Sequence, residues 1–349
     1  MSSRTARSAR EGGWGDGRRR ARRAIGARLF ALIALSACLS PSACGSEVPA
    51  GGVSRMRPPG PRVVRRVEPG DLLPADLDLV VRVDLARMQA ALGPALADDL
   101  AARALSAGGA EAGDEALVQS AIARADVVWI GLRLVDLEVG DRVLVAEGRQ
   151  GAFSAFSEPP SGFRPLPATD EGVIAFEREE PPPRSGTARI LRVGERAVAF
   201  VSPVEVDSVA RVLRDGPDER RGDPVAEGIV SLDLRPRRLS PSLERRFPSI
   251  AALLGGLDRV RASAVLADDG IRLSAEILAR NEPSAARALR FLTALRDNVE
   301  GPVYVELMRS LTLEQVGETV RIRWTVPAKL VALLAGGGEA GAPAPVPVE

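Results

Sequence analysis

Residues 271–277 read Ile-Arg-Leu-Ser-Ala-Glu-Ile, and residues 319–326 read Thr-Val-Arg-Ile-Arg-Trp-Thr-Val. Apolar and polar residues alternate one by one in both stretches. A period of two sends successive side chains to opposite sides of a strand. Each stretch therefore carries an apolar face, with Ile271, Leu273, Ala275 and Ile277 in one and Val320, Ile322, Trp324 and Val326 in the other. Strands of this kind build antiparallel sheets with one face covered and the other in water. The pattern predicts an α+β body: antiparallel sheet with helices laid on one face.

The pattern occurs twice. "LVVRVDL" (79–85) and "GIVSLDL" (228–234) read as strands ending in Asp-Leu, and each runs into a helical stretch broken by proline, at Pro94 and Pro248. Proline opens a helix but does not sit inside one, so each stretch is expected to split in two. Strands 126–135 and 142–148 then match strands 258–266 and 271–278, with turns at Gly140-Asp141 and Asp269-Gly270. "RVGERAVAFVSP" (192–203) and "QVGETVRIRWTVP" (315–327) share Val-Gly-Glu at a hairpin turn. Ser202-Pro203-Val204-Glu205 reads as a capping box opening the next helix. The middles differ. After Asn281 the second copy sets Ala285, Ala288, Leu289, Leu292 and Leu295 on one helix face, whereas the first has "GAFSAFSE" (151–158), a loop-rich stretch and a strand at 173–178. Two related halves follow, each near β-α-β-β-α-β-β-α.

Ahead of the body, residues 18–28 are dense in arginine and are followed by the uncharged run Leu29–Ala37. Such a run suits the apolar part of a signal peptide and falls short of the roughly 20 residues that span a bilayer. It ends in Leu35-Ser36-Ala37-Cys38. This resembles the lipobox of bacterial lipoproteins, and the resemblance implies acylation of Cys38 and cleavage just before it. Cys44 is the alternative: Gly45-Ser46 suits it, but Pro41 stands where the box wants Leu. An ordinary cleaved secretory signal is the plainer reading. The long basic region is also consistent with a start downstream of Met1. The organisation read from the chain is signal peptide 1–37, Pro/Gly-rich tether 38–70, first α+β repeat 71–222, second repeat 223–336 and a low-complexity tail 337–349.

Composition narrows the chemistry. The chain has no histidine, which excludes Ser-His-Asp and Cys-His nucleophilic sites and metal sites that need imidazole. Two cysteines, one of them in the lipobox, leave no thiolate cluster. No metal and no cofactor is expected. Beyond residue 37 the chain holds 38 basic against 44 acidic residues, which argues against nucleic acid as a partner. The adjacent acid pairs Asp98-Asp99, Glu179-Glu180, Asp218-Glu219 and Asp268-Asp269 fall in turns or on polar helix faces, where sequence neighbours point apart.

One arrangement stands out. Arg259, Arg261, Arg272, Arg321 and Arg323 occupy polar-face positions of strands in the second repeat. Guanidinium groups on a rigid sheet suit phosphate or carboxylate, in lipid headgroups or acidic polysaccharide. The competing expectation is that Glu276 and Glu314 pair with them across strands on a solvated surface. The sequence thus predicts a lipid-anchored, non-enzymatic binding or scaffolding protein of the cell envelope, on the outer membrane, facing periplasm or surface. Its expected partners are the membrane and envelope proteins or anionic lipid and polysaccharide. A carrier of a hydrophobic ligand is the second reading, and a carboxylate-based hydrolase the third.

Overall fold

A computed structural model describes residues 68–94, 114–133, 141–167, 172–182, 186–216, 228–237, 241–299 and 301–335. Cys38, Cys44, the tail 337–349 and the pairs Asp98-Asp99 and Asp218-Glu219 lie outside the described residues.

The first half contains β1 (Leu79–Asp84), α1 (Leu85–Leu92), α2 (Glu115–Ile122), β2 (Val127–Leu132), β3 (Arg142–Glu147), β4 (Phe163–Pro165), β5 (Val173–Arg178), β6 (Arg189–Val193), β7 (Ala197–Val201) and α3 (Val206–Asp215). The second contains β8 (Val230–Leu234), α4 (Pro241–Arg246), α5 (Pro248–Leu254), β9 (Leu257–Ala267), β10 (Gly270–Ala279), α6 (Glu282–Asp297), α7 (Pro302–Met308), β11 (Thr312–Val316), β12 (Thr319–Pro327) and α8 (Ala328–Ala335). Short 3-10 helices cover Pro69–Leu72, Ser154–Ser157 and Pro203–Glu205.

The twelve strands of the described residues form one sheet, in the order β11-β12-β10-β9-β8-β1-β2-β3-β7-β6-β5-β4. Read outward from the central pair β1 and β8, each half repeats the same sequence of strands: first, second, third, last, last but one. The two Val-Gly-Glu hairpins close corresponding pairs, β6–β7 and β11–β12. Gly194 and Gly317 both take a left-handed φ, 58° and 57°, in turns of three residues (194–196) and two (317–318). The first half carries two further strands, β5 and β4, where the second carries helices α6 and α7. β4 lies in the stretch read from sequence as loop, and its Pro165 suits an outermost strand, which needs no donor on its free side.

Antiparallel register sorts the side chains. On one face of the second half lie Leu232, Ala262, Ala275, Ile277, Val320 and Ile322, packed beneath Ala285, Ala288, Leu289 and Leu292 of α6 and Leu253 and Leu254 of α5. Alanine meets alanine here, so helix and sheet approach closely. Helix α6 starts where Asn281 accepts a hydrogen bond from the Ser284 amide at 2.9 Å, with Pro283 in its first turn. In the first half the same face carries Phe200, capped edge-on by Phe156 with ring centroids 6.0 Å apart.

The first half is also covered on its other face. Leu72, Leu73 and Leu77, with Val206, Val209 and Leu213 of α3, pack on Val80, Val143, Val145, Leu191, Ala199 and Val201. Pro69 and Gly70, read from sequence as the end of the tether, belong to this cover. The expected capping box is replaced by something else. Ser202 Oγ accepts from the Arg142 amide at 3.0 Å, and the Glu205 carboxylate turns inward to Arg133. Glu205 is fully buried, and Arg133 Nη2 bridges it to Asp76 at 3.0 and 2.8 Å. Hydrogen bonding to Glu205, opposed by burial and supported by Asp76, raises the Arg133 pKa above its ordinary value. A buried carboxylate without that partner would be untenable.

Candidate functional site

The polar face of the second half is built from β8, β9, β10, β12 and β11, side by side; it is buried at Ser231, Asp233 and Ser263 and open at Arg323 and Thr312. Cross-strand register arranges its polar residues in rows. One row runs Asp233, Arg261, Glu276, Arg321, Glu314, alternating in sign from strand to strand. The next runs Ser231, Ser263, Ser274, Arg323, Thr312, and continues across the centre of the sheet to Arg82. Ser231 and Ser263 are 2% and 1% exposed, whereas Arg323 and Thr312 are open, so the row emerges from the core toward the sheet edge.

The structure therefore brings all five candidate arginines onto one face, but in different electrostatic states. Arg259 grips Asp233 with two hydrogen bonds, Nε to Oδ1 at 2.6 Å and Nη2 to Oδ2 at 3.0 Å. Arg235 approaches the same carboxylate at 2.9 Å. Burial pushes the Asp233 pKa up, and the charges and hydrogen bonds of Arg259 and Arg235 outweigh it, leaving the carboxyl below its ordinary value. Arg321 Nε meets Glu276 at 3.2 Å, and Arg272 Nη2 meets Asp269 at 3.2 Å. These three arginines are engaged.

Arg261 and Arg323 are not: both are exposed and neither forms an ion pair with a described residue. Partial burial, then the like charge of Arg259, lowers the Arg261 pKa, but a guanidinium remains protonated throughout the accessible pH range. Strand spacing sets the two side chains two strands and one row apart, on the order of 10 Å. Val265, Leu278 and Val316 stand on the same face, 42%, 44% and 50% exposed, so unpaired cations share the surface with apolar side chains. Glu314, expected to neutralise part of the face, makes no ion pair with a described residue.

Sequence reasoning missed Asp233 as the organiser of Arg259, and it missed Arg235. The signal was present: in "GIVSLDL" the same period of two places Ser231 and Asp233 opposite Val230, Leu232 and Leu234. Of the acid pairs, Glu179, Glu180, Asp268 and Asp269 are exposed. No group of three or more His, Cys, Asp or Glu among the described residues could hold a metal ion. No described helix is long and apolar enough to cross a membrane. A shallow open groove of about 470 Å³ lies beside the edge strand, lined by Glu282, Pro283, Ala286, Gln315 and Gly317.

No protein-family model and no curated protein matches the chain. Among solved structures, crystal forms I, III and IV of TP0453 are similar at 10%, 12% and 13% sequence identity, with TM-scores of 0.40, 0.41 and 0.39. The likeness covers 77% of this chain and 97–98% of those chains.

Proposed function

We propose that this chain is a lipid-anchored, non-enzymatic protein of the cell envelope, and that the bare face of its second half binds an anionic lipid surface. One observation carries the reading: Arg261 and Arg323 stand exposed, without an ion pair to a described residue, on a rigid sheet among the exposed apolar side chains Val265 and Leu278. Cations that bind headgroup phosphate beside apolar groups that enter the interface are the ingredients of peripheral membrane attachment. Acylation at Cys38, or at Cys44, would hold the body near the membrane, and the face would set its orientation. The outer membrane is the proposed site, because neither residue that follows Cys38, Leu39 or Ser40, is the Asp that favours inner-membrane retention in some of the lipoproteins the lipobox resembles.

The test is sedimentation with vesicles of phosphatidylglycerol and phosphatidylethanolamine, using the chain with Cys38→Ser and Cys44→Ser so that no acyl chain contributes. Each arginine at an anionic surface contributes about 1 kcal/mol. Arg261→Ser with Arg323→Ser should therefore weaken binding about tenfold or more at low salt, with a smaller loss at physiological salt. Unchanged binding in the double variant, or no binding by the parent, returns the two arginines to ordinary surface charge. For the anchor, Cys38→Ala should abolish membrane fractionation while Cys44→Ala keeps it; two membrane-bound variants would remove the lipobox reading.

A further inference from the structure

The outermost strand of the second half is β11, which pairs with β12 and has no described strand on its other side. Its counterpart β6 is not open: β5 lies outside it, antiparallel, with Val173 opposite Val193 and Ala175 opposite Leu191. Among the described residues, the duplicated architecture therefore contains an edge that a strand fills in one half and none fills in the other.

Three features of the empty edge describe what would fill it. Counting back from the hairpin, Glu314 holds the place of Leu191, and it terminates the alternating row Asp233, Arg261, Glu276, Arg321, Glu314. The next member of that alternation is a cation. On the opposite face, Gln315 lines the groove with Pro283, Ala286 and Glu282, so a side chain placed across from Gln315 would enter that groove. Finally, the register that pairs all five residues of β11 with a second copy of β11 sets Glu314 against Glu314. Like charges directly opposed on a sheet destabilise it, which disfavours self-pairing.

We infer that the outer edge of β11 is a docking site for an extended segment of a partner protein, added as an antiparallel strand with a basic residue opposite Glu314 and an apolar residue over the groove. Backbone hydrogen bonds along the edge would supply affinity, and those two side chains the selectivity, as in other cases of strand addition. This surface is separate from the arginine pair Arg261 and Arg323 and does not depend on membrane binding.

The experiment uses the full chain and two synthetic peptides that copy residues 172–179, one with Ala175→Lys and one with Ala175→Glu. Peptide binding is followed by fluorescence anisotropy, and the outward amides of residues 312–316 by hydrogen exchange. The lysine peptide should bind, protect those amides and outcompete the glutamate peptide. Glu314→Lys in the protein should reverse the preference, with each swap changing affinity about fivefold. Because the reversal is a gain for one peptide and a loss for the other, misfolding cannot imitate it. Equal binding of both peptides, or binding of neither, overturns the inference. So does protection of 312–316 in the free chain: if concentration-dependent it assigns the edge to a second copy, and if concentration-independent to another segment of the same chain.

Discussion

The two halves share a strand order and treat one face of the sheet in opposite ways. In the first half that face bears Val80, Val143, Val145, Leu191, Ala199 and Val201, and it lies under Leu72, Leu73, Leu77 and helix α3. In the second half it bears Asp233, Arg261, Ser274, Glu276, Arg321 and Arg323. Topology alone does not decide whether a sheet face is covered; the residues presented on it do. Apolar area removed from water contributes about 25 cal/mol per Å², so a helix gains by lying on the valine-rich face. Docking on the charged face would instead strip water from ions.

The largest expected effect lies in the lock that holds the first-half cover. Glu205 stands two residues after Pro203, fully buried against Arg133, and Lys329 stands two residues after Pro327 with its side chain 68% exposed. Glu205→Ala should lower unfolding free energy by about 3–5 kcal/mol, because it removes the buried partner of a largely buried guanidinium and leaves only the half-exposed Asp76. Lys329→Ala should cost under about 1 kcal/mol. Denaturant titration of the two variants checks the contrast, and equal losses would break it.

Next comes Gly131, which faces the same cover. A Cβ at this position would collide with Leu77 Cδ1, with Leu73 Cδ2 at 3.2 Å. Gly131→Ala is expected to cost about 1–3 kcal/mol by overpacking, through displacement of the Leu73–Leu77 segment. Increased protease cutting near residues 68–77 would locate the damage.

Asp233 gives a pH signature to the uncovered half. Its carboxyl is held below the ordinary aspartate range, so the unfolded chain takes up a proton at higher pH than the folded one does. The stabilisation is complete above the unfolded pKa of about 4 and is lost as pH falls through the lowered folded value. Asp233→Asn should flatten the acid limb of a stability–pH curve below about pH 4 and leave its shape above pH 5 unchanged. A slope identical to the parent's would mean that Arg259 and Arg235 do not hold this carboxylate charged.

The hairpins should show the smallest effect and no difference between the halves. Gly194→Ala and Gly317→Ala each place a Cβ in the left-handed region, with nothing within 4 Å to strike, so each should cost about 1–2 kcal/mol. A large disparity between the two would mean that the difference in turn length, not the shared left-handed glycine, sets the cost.

How much of this was readable from the residues follows from the range of the interactions involved. The alternation at 271–277 and 319–326 revealed strand, face and exposure, because it depends only on nearest neighbours along the chain. The Val-Gly-Glu turns and the start of α6 at Asn281 were readable for the same reason. The union of both halves in one sheet was not, since it rests on β1 pairing with β8 across some 150 residues. Arg259 was placed on the correct face but not with Asp233, because that contact needs the register between β8 and β9. Glu205 was misread as a cap residue: local spacing favoured a capping box, and the tertiary partner Arg133 won. β4 escaped notice because a three-residue strand has no period to detect.

The central claim is which side of the sheet meets an anionic surface, and a label on each side reads that directly. Two single-cysteine chains, Ser274→Cys on the polar face and Arg290→Cys on the exposed side of α6, which packs on the opposite face, each with Cys38→Ser and Cys44→Ser, would carry a spin label onto phosphatidylglycerol-containing vesicles. The label at 274 should lose access to an aqueous relaxation agent on binding while the label at 290 retains it. Equal protection at both positions, or protection at 290 alone, would contradict the claim.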